Sequence, residues 1–277
     1  MILVGIVMMF VQGFTADTEF SGGVECTVKV GKTVDATVQS EIAKTVKSAI
    51  GEEPNVQKAG DGTDAIVKLT KNLSLDDSIK FKTALVESLG VTEEDITNFE
   101  VVSPAIGREM QRSAIVAAII AILLMLVYIA FRFEFLSGIA AVMALIHDVL
   151  IMLAVYIIFK VPVNTSFIAA ILTIVGYSIN ATIVLFDRIR ENTRLTKKTP
   201  FAEIVNTSVW QTMRRSILTS LTTIVTVILL YILGVDAIKE FAFPIIIGVL
   251  AGCYSSVFLS GNFWIMLKKL AKHKNIA

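Results

Sequence analysis

Apolar residues in this chain fall into long blocks separated by short polar breaks. A helix needs about 20 apolar residues to cross a bilayer core. Residues 113–131, 135–159, 167–186, 216–233 and 242–267 form five blocks of roughly that length. A sixth block, residues 2–14, is about 6 residues short of a comfortable span. It contains no Lys or Arg, so it lacks the positive start of a secretory signal. It reads as the distal part of a first spanning helix.

Between the first and second blocks the pattern changes to short alternating and helical runs. Residues 24–30 alternate as a strand does. Val38, Ile42, Val46 and Ile50 recur every four residues, so residues 34–50 predict an amphipathic helix that Gly51 stops. Residues 56–59 and 65–69 flank Gly60-Asp61-Gly62, a hairpin signal. Ser74 followed by Asp77 predicts the start of a helix reaching Leu89 and stopped by Gly90. Residues 97–103 predict a last strand. The order βαββαβ suggests a ferredoxin-like split βαβ unit. The expected architecture is an α-helical membrane protein with six spans, the first partial, and one water-facing α+β domain. Its parts are residues 1–14 (partial first span), 15–109 (domain), 110–267 (five-helix bundle) and 268–277 (basic tail).

Composition sharpens this. The chain is 55% hydrophobic and 18% charged, with a mean hydropathy of +0.73, against about 25% charged for an ordinary soluble protein. Of its 24 acidic residues, 17 lie between Asp17 and Glu109. A soluble single domain and a disordered chain are both excluded. The net charge of +1 gives no reason to invoke nucleic acid. Two cysteines, Cys26 and Cys253, are too few for a disulfide framework or a four-ligand zinc site. No metal or cofactor is expected. Gly31-Lys32-Thr33 lacks the earlier glycine of a phosphate loop, and Gly60-x-Gly62 sits in a hairpin, so neither predicts a nucleotide site. No Ser-His-Asp or Cys-His set is visible, and an enzyme is not expected. Lys and Arg in the short loops divide twelve to two. Arg132, residues 188–215 and residues 268–274 carry the twelve, against Lys160 and Lys239. By the positive-inside rule the rich side is cytoplasmic. The C-terminus is then expected inside and residues 15–109 outside the cytoplasm.

Each polar side chain inside a span needs a reason, because a mid-bilayer charge costs about 2.5–3.5 kcal/mol on insertion scales. Asp148 lies near the middle of its block, beside His147, and is a candidate proton-titrating carboxylate or a hydrogen-bonded helix-orienting group. Thr173, Tyr177, Asn180 and Val184 share one helix face, which should meet protein or water. Arg214 and Arg215 open the next block, and adjacent helical residues point about 100° apart. Gly248, Gly252, Ser256 and Ser260 recur every four residues, a ridge of small residues suited to close helix packing.

Gly176-Tyr177-Ser178-Ile179-Asn180, followed by Phe186-Asp187-Arg188-Ile189-Arg190-Glu191-Asn192, strongly resembles the SecF family of bacterial protein export. Asp17-Thr18-Glu19-Phe20-Ser21-Gly22-Gly23 resembles that family's Asp-Phe-x-Gly-Gly box. Residues 128–135 resemble its Tyr-x-x-x-Arg-Phe-Glu turn, His147-Asp148 its third span and residues 206–223 its fifth. The resemblance implies a resistance-nodulation-division type bundle paired with SecD in the bacterial cytoplasmic membrane. It implies a role in drawing preproteins out of the SecYEG channel with the proton-motive force. It also implies an essential carboxylate after Asn180, paired with an arginine that aligns with Arg215. Ala181 stands at that place, and a methyl group neither carries a proton nor pairs with arginine. Asp148, Arg215 and Asn180 are then the expected proton relay, with weakened coupling. Two other readings compete: a half-transporter for lipids or drugs on the same fold, and a purely structural assembly subunit.

Overall fold

The computed structural model describes residues 1–277 except 61, 72, 133, 197, 198 and 275–277. Asp61 of the hairpin signal, Phe133 of the Arg-Phe-Glu turn, Lys197 and Lys198 of the basic loop and the end of the basic tail therefore lie outside the described residues.

The chain opens with a short apolar helix, α1 (Ile2–Gln12), and a single turn, α2 (Thr18–Ser21). A mixed α/β region follows as β1 (Gly23–Lys29), α3 (Ala36–Ile50), β2 (Asn55–Ala59), β3 (Asp64–Leu69), α4 (Leu75–Leu89) and β4 (Ile96–Val102). The four strands form one antiparallel sheet in the order β2-β3-β1-β4. Asp35 begins α3 by accepting the amides of Thr37 and Val38, and Ser74 begins α4 by accepting the amide of Asp77. Both helices end on a glycine in the left-handed region, Gly51 and Gly90, where a side chain would be strained. The four-residue repeat of α3 is wholly buried, as are Phe81 and Leu85 of α4. They pack on Val24, Cys26 and Val28, the alternate residues of β1. Burial pushes the Cys26 thiol up to about 12.

The second half is five long helices. They are α5 (Pro104–Arg132), α6 (Phe135–Phe159), α7 (Thr165–Leu195), α8 (Phe201–Leu233) and a rod made of α9 (Asp236–Tyr254), a π-helical turn (Ser255–Leu259) and α10 (Ser260–Lys274). All five contain stretches long and apolar enough to cross a membrane. The sixth apolar helix, α1, is shorter than that. Helices α7 and α8, at 31 and 33 residues, run about 46–50 Å. They outreach the roughly 30 Å hydrocarbon core, so their polar ends must project beyond it.

Close packing uses the small residues. A Cβ at Gly248 would lie within 2.5 Å of the Ile174 side chain, and one at Gly252 would lie 3.1 Å from Ser178 Cβ. The α9 rod is thereby pressed onto α7. A Cβ at Gly5 would likewise meet Ala154, which seats α1 on α6. Helix α5 is the least covered of the long helices, with Ile119, Leu123 and Leu124 exposed.

The sheet domain is joined to the bundle through the segment before β1. Residues 16 and 163 form a short parallel bridge. Glu19 accepts both the amide and the hydroxyl of Thr165 at the start of α7. Asp17 caps α2 and takes Lys68 Nζ of β3 at 3.2 Å, with Glu25 of β1 at 3.7 Å. Asp17 and Lys68 are both buried. Burial alone would lower the Lys68 ammonium, but the charges of Asp17, Glu240 and Glu25 outweigh it and hold its pKa above the ordinary lysine value. Burial pushes Glu25 up, with Lys68 pulling the other way.

Candidate functional site

Asp148 is the one carboxylate among the described residues buried inside the spanning helices. Small residues make room for it: Ala140, Ala141 and Ala144 on its own helix are fully buried, and Gly252 faces it from α9. Its Oδ2 accepts the hydroxyl of Ser178 on α7 at 2.5 Å and that of Ser255 at 2.8 Å. Its Oδ1 lies 3.0 Å from His147 Nδ1. The His147 ring, 19% exposed, stands 6.0 Å from the Tyr254 ring. Three helices thus converge on one carboxylate. The set can hold a proton on oxygen, pass it along hydroxyls, or exchange it with the neighbouring imidazole.

Ser255 lies three residues after Gly252, on the same face of the rod, and opens the π-helical turn. A π turn inserts one extra residue and shifts the helix face that follows. The neighbouring Ser256 and Ser260 are buried but donate back to the carbonyls of Cys253 and Ser256. The four-residue ridge Gly248, Gly252, Ser256, Ser260 therefore lies beside the acceptor-facing serine. A strict four-residue repeat passes over Ser255, which follows Gly252 at the three-residue spacing of the same face.

A second polar region lies on another face of α7. Tyr177, Asn180, Ala181, Arg215, Ser216 and Thr219 border a cleft of about 70 Å³ between α7 and α8. It adjoins a larger one of about 410 Å³ bordered by Asp187, Arg188, Glu191, Gln211 and Thr212, with Arg215 and Val184 common to both. The hydroxyl of Tyr177 lies 3.4 Å from Ser220 Oγ. The stripe Thr173, Tyr177, Asn180, Val184 is not covered by this chain: Thr173 and Asn180 are exposed and the other two half-buried. Gly176 is exposed on the same side, and no atom lies within 4 Å of the place its Cβ would take.

The expected relay of Asp148, Arg215 and Asn180 is not assembled as one site. Asp148 bonds to Ser178, whereas Asn180 and Arg215 border the α7–α8 cleft. At 100° per residue, the cleft-facing residues of α7 sit roughly a third of a turn from Ser178. Helical rotation alone separates the two groups.

Where α7 and α8 extend past the apolar blocks, the resemblance motif forms a polar lock. Arg188 donates to Gln211 Oε1 at 2.6 Å and to Glu191 at 2.6 Å. Arg190 stands 3.8 Å from Asp187. Asn192, buried and missed as a site candidate, donates to both Ser208 and Gln211 at 2.8 Å. Beneath it Trp264 packs on Phe186 and Phe201, and Lys268 lies 3.9 Å over the Phe201 ring. Among the described residues no group of three or more His, Cys, Asp or Glu side chains is gathered as a metal ion would require.

Comparison with known proteins places this geometry. A family model described as protein export membrane protein SecD/SecF, C-terminal, matches residues 81–270. The chain is 33% identical to the protein translocase subunit SecF of Rhodothermus marinus, over 98% of this chain and 89% of that one. It is 36% identical to the protein translocase subunit SecDF of Thermus thermophilus over 91% of this chain, and spans only 34% of that longer protein. A crystal structure of SecDF from Thermus superposes with a TM-score of 0.81 at 34% identity, covering 97% of this chain and 36% of that one. SecDF in a super-membrane-facing form superposes with a TM-score of 0.74 at 33% identity, covering 99% of this chain and 37% of that one.

Proposed function

The chain belongs to the SecD/SecF family of protein export membrane proteins, and on that footing we propose that it is an auxiliary subunit of the Sec translocase, working with SecD. In this reading the ferredoxin-like domain lies outside the cytoplasm and moves against the bundle, six helices span the membrane counting α1, and the proton-motive force drives the movement. The preprotein emerging from SecYEG is the load. The uncovered Asn180 stripe and the Arg215 cleft are the seam that SecD closes.

The observation that carries the proposal is Asp148, 1% exposed in the middle of a spanning helix and held by three partners on three elements. A charge at that depth is expensive, whereas the protonated form is not. One elementary charge crossing the membrane gains about 2.3 kcal/mol per 100 mV. A carboxyl whose proton affinity differs between two packings of the bundle converts that energy into a population shift. Ala181, whose methyl faces the Arg215 cleft, removes the family's second carboxyl from the path. It also supports a second reading, an assembly subunit without proton chemistry.

One experiment separates them. The chain is reconstituted with SecD and SecYEG in proteoliposomes, and preprotein translocation is measured with and without an imposed proton gradient. Asp148→Asn should abolish the gradient-dependent increment and leave the rest. Ala181→Asp should enlarge it. Equal increments in the parent and both variants would leave only the structural reading standing.

A further inference from the structure

The cavity between the sheet domain and the bundle belongs to neither polar site described above. It measures about 300 Å³. One wall is β2, the edge strand of the sheet, through Gln57. The opposite wall is aromatic: Tyr156 of α6, Tyr231 of α8 and Phe243 of α9, with the Phe243 ring 6.0 Å from Tyr156 and 6.2 Å from Tyr231. Between the walls stand Lys239 and Glu240. Each oxygen of Glu240 accepts from a neutral amide, Oε1 from Gln57 and Oε2 from Asn164. Gln57 and Asn164 hold the carboxylate in place without neutralising it, and the buried Lys68 ammonium that also acts on it is shared with Asp17 and Glu25.

The level of this cavity in the fold decides what reaches it. Helix α6 ends at Phe159, α7 starts at Thr165, α8 ends at Leu233 and α9 starts at Asp236. Four helix ends therefore lie around it, so in a bundle that spans a bilayer it falls at the lipid–water boundary. Phe159, Ile232 and Leu233, each within two residues of a lining residue, are 64–81% exposed, a surface made for acyl chains. Tyrosines at such a boundary keep their rings in the headgroup layer. A carboxylate facing aromatic rings is the chemistry that holds an ammonium ion, by charge-assisted hydrogen bonds on one side and ring faces on the other. Lys239 supplies positive charge for an adjoining phosphate.

We propose that this cavity binds the headgroup of an aminophospholipid, a primary ammonium next to a phosphodiester, from the leaflet on the domain side of the membrane. The ammonium sits against Glu240 under the Tyr231 and Phe243 rings, and the acyl chains lie along the exposed ends of α6 and α8. A lipid seated there touches the sheet domain and three helices at once, so it sets how firmly the domain rests on the bundle.

The test is native mass spectrometry of the full chain in detergent, titrated with dioctanoyl phosphatidylethanolamine, phosphatidylcholine or phosphatidylglycerol. Phosphatidylethanolamine should give one saturable adduct, with the other two at least about tenfold weaker. Glu240→Gln, which keeps one acceptor oxygen and meets the second amide once that amide turns its own oxygen inward, should weaken that adduct about tenfold. Tyr231→Leu, at a partly exposed ring, should weaken it about threefold and gives a second measurement should the Glu240 variant not fold. Equal binding of phosphatidylglycerol or phosphatidylcholine would overturn the proposal, as would undiminished binding by both variants. Displacement by free ethanolamine at the concentration at which the lipid itself competes would overturn the lipid assignment, because the cavity would then take a soluble amine.

Discussion

At the scale of single residues, the chemistry rests on what each polar atom can bond to. Ser255 and Ser256 are adjacent and both buried, yet only Ser255 donates to Asp148. Ser255→Ala should therefore destabilise the bundle by about 1–3 kcal/mol, by removing one donor from a buried carboxylate. Ser256→Ala, which loses only a bond to its own helix, should stay within about 0.5 kcal/mol. Thermal unfolding of the two variants in detergent checks the contrast. Glu25 gives a prediction in pH. Its carboxyl is raised in the folded state, chiefly by burial, so the folded chain favours the protonated form. The penalty for keeping it ionised is present at neutral pH and is relieved as pH falls through the raised value, above 4.5. Glu25→Gln carries no such penalty. Its melting temperature should exceed the parent's near pH 8 and converge with it as pH falls toward the ordinary value of 4.5. A constant gap across that range would contradict this account.

At the scale of elements, close approach is set by missing side chains. Helix α9 lies on α7 because Gly248 presents no Cβ to Ile174. Gly248→Leu forces α9 away and should cost about 1–3 kcal/mol by overpacking. It should also pull Ser255 from Asp148, so loss of gradient-dependent export should accompany the fall in melting temperature. The π-helical turn sets the other limit of this rod. It shifts the face of the residues after Ser255 while the chain continues without a break into α10. Helices α7 and α8 need no such device outside the membrane, because the Arg188–Gln211 and Asn192–Ser208 bonds fasten their projecting ends.

At the scale of the whole molecule, one buried ion pair joins the sheet to the segment that leads from α1. Lys68 belongs to the sheet, and Asp17 to the segment that leads from α1 and bridges to the start of α7. Lys68→Met leaves Asp17 buried without its cation, a loss of about 3–5 kcal/mol when one partner of such a pair is removed. The helices do not depend on that pair. Hydrogen exchange should therefore rise in β1, β3 and residues 15–22 and stay unchanged in α7 and α9. Uniform protection across all of these would show that the pair is not the joint.

The five long apolar helices, the βαββαβ alternation, the cap at Ser74 and the stops at Gly51 and Gly90 were all legible in the amino-acid order, because each depends on neighbours within a few residues. Apolar length, strand alternation, cap side chains and glycine at positive φ act locally. So, too, the motif around Asn180 and Asp187 was enough to name the family. Tertiary structure alone decided which polar groups meet. The pairing of Asp148 with Ser178 and Ser255 depends on the rotation of three helices about their axes. The inserted residue of the π turn shifts the face that follows Ser255 without leaving a mark in the hydrophobic period. Asp17 with Lys68, and Glu240 with Gln57 and Asn164, are brought together across 51, 183 and 76 residues. A sequence reading lists such groups, but only packing fixes the distances that turn a list of polar residues into a site.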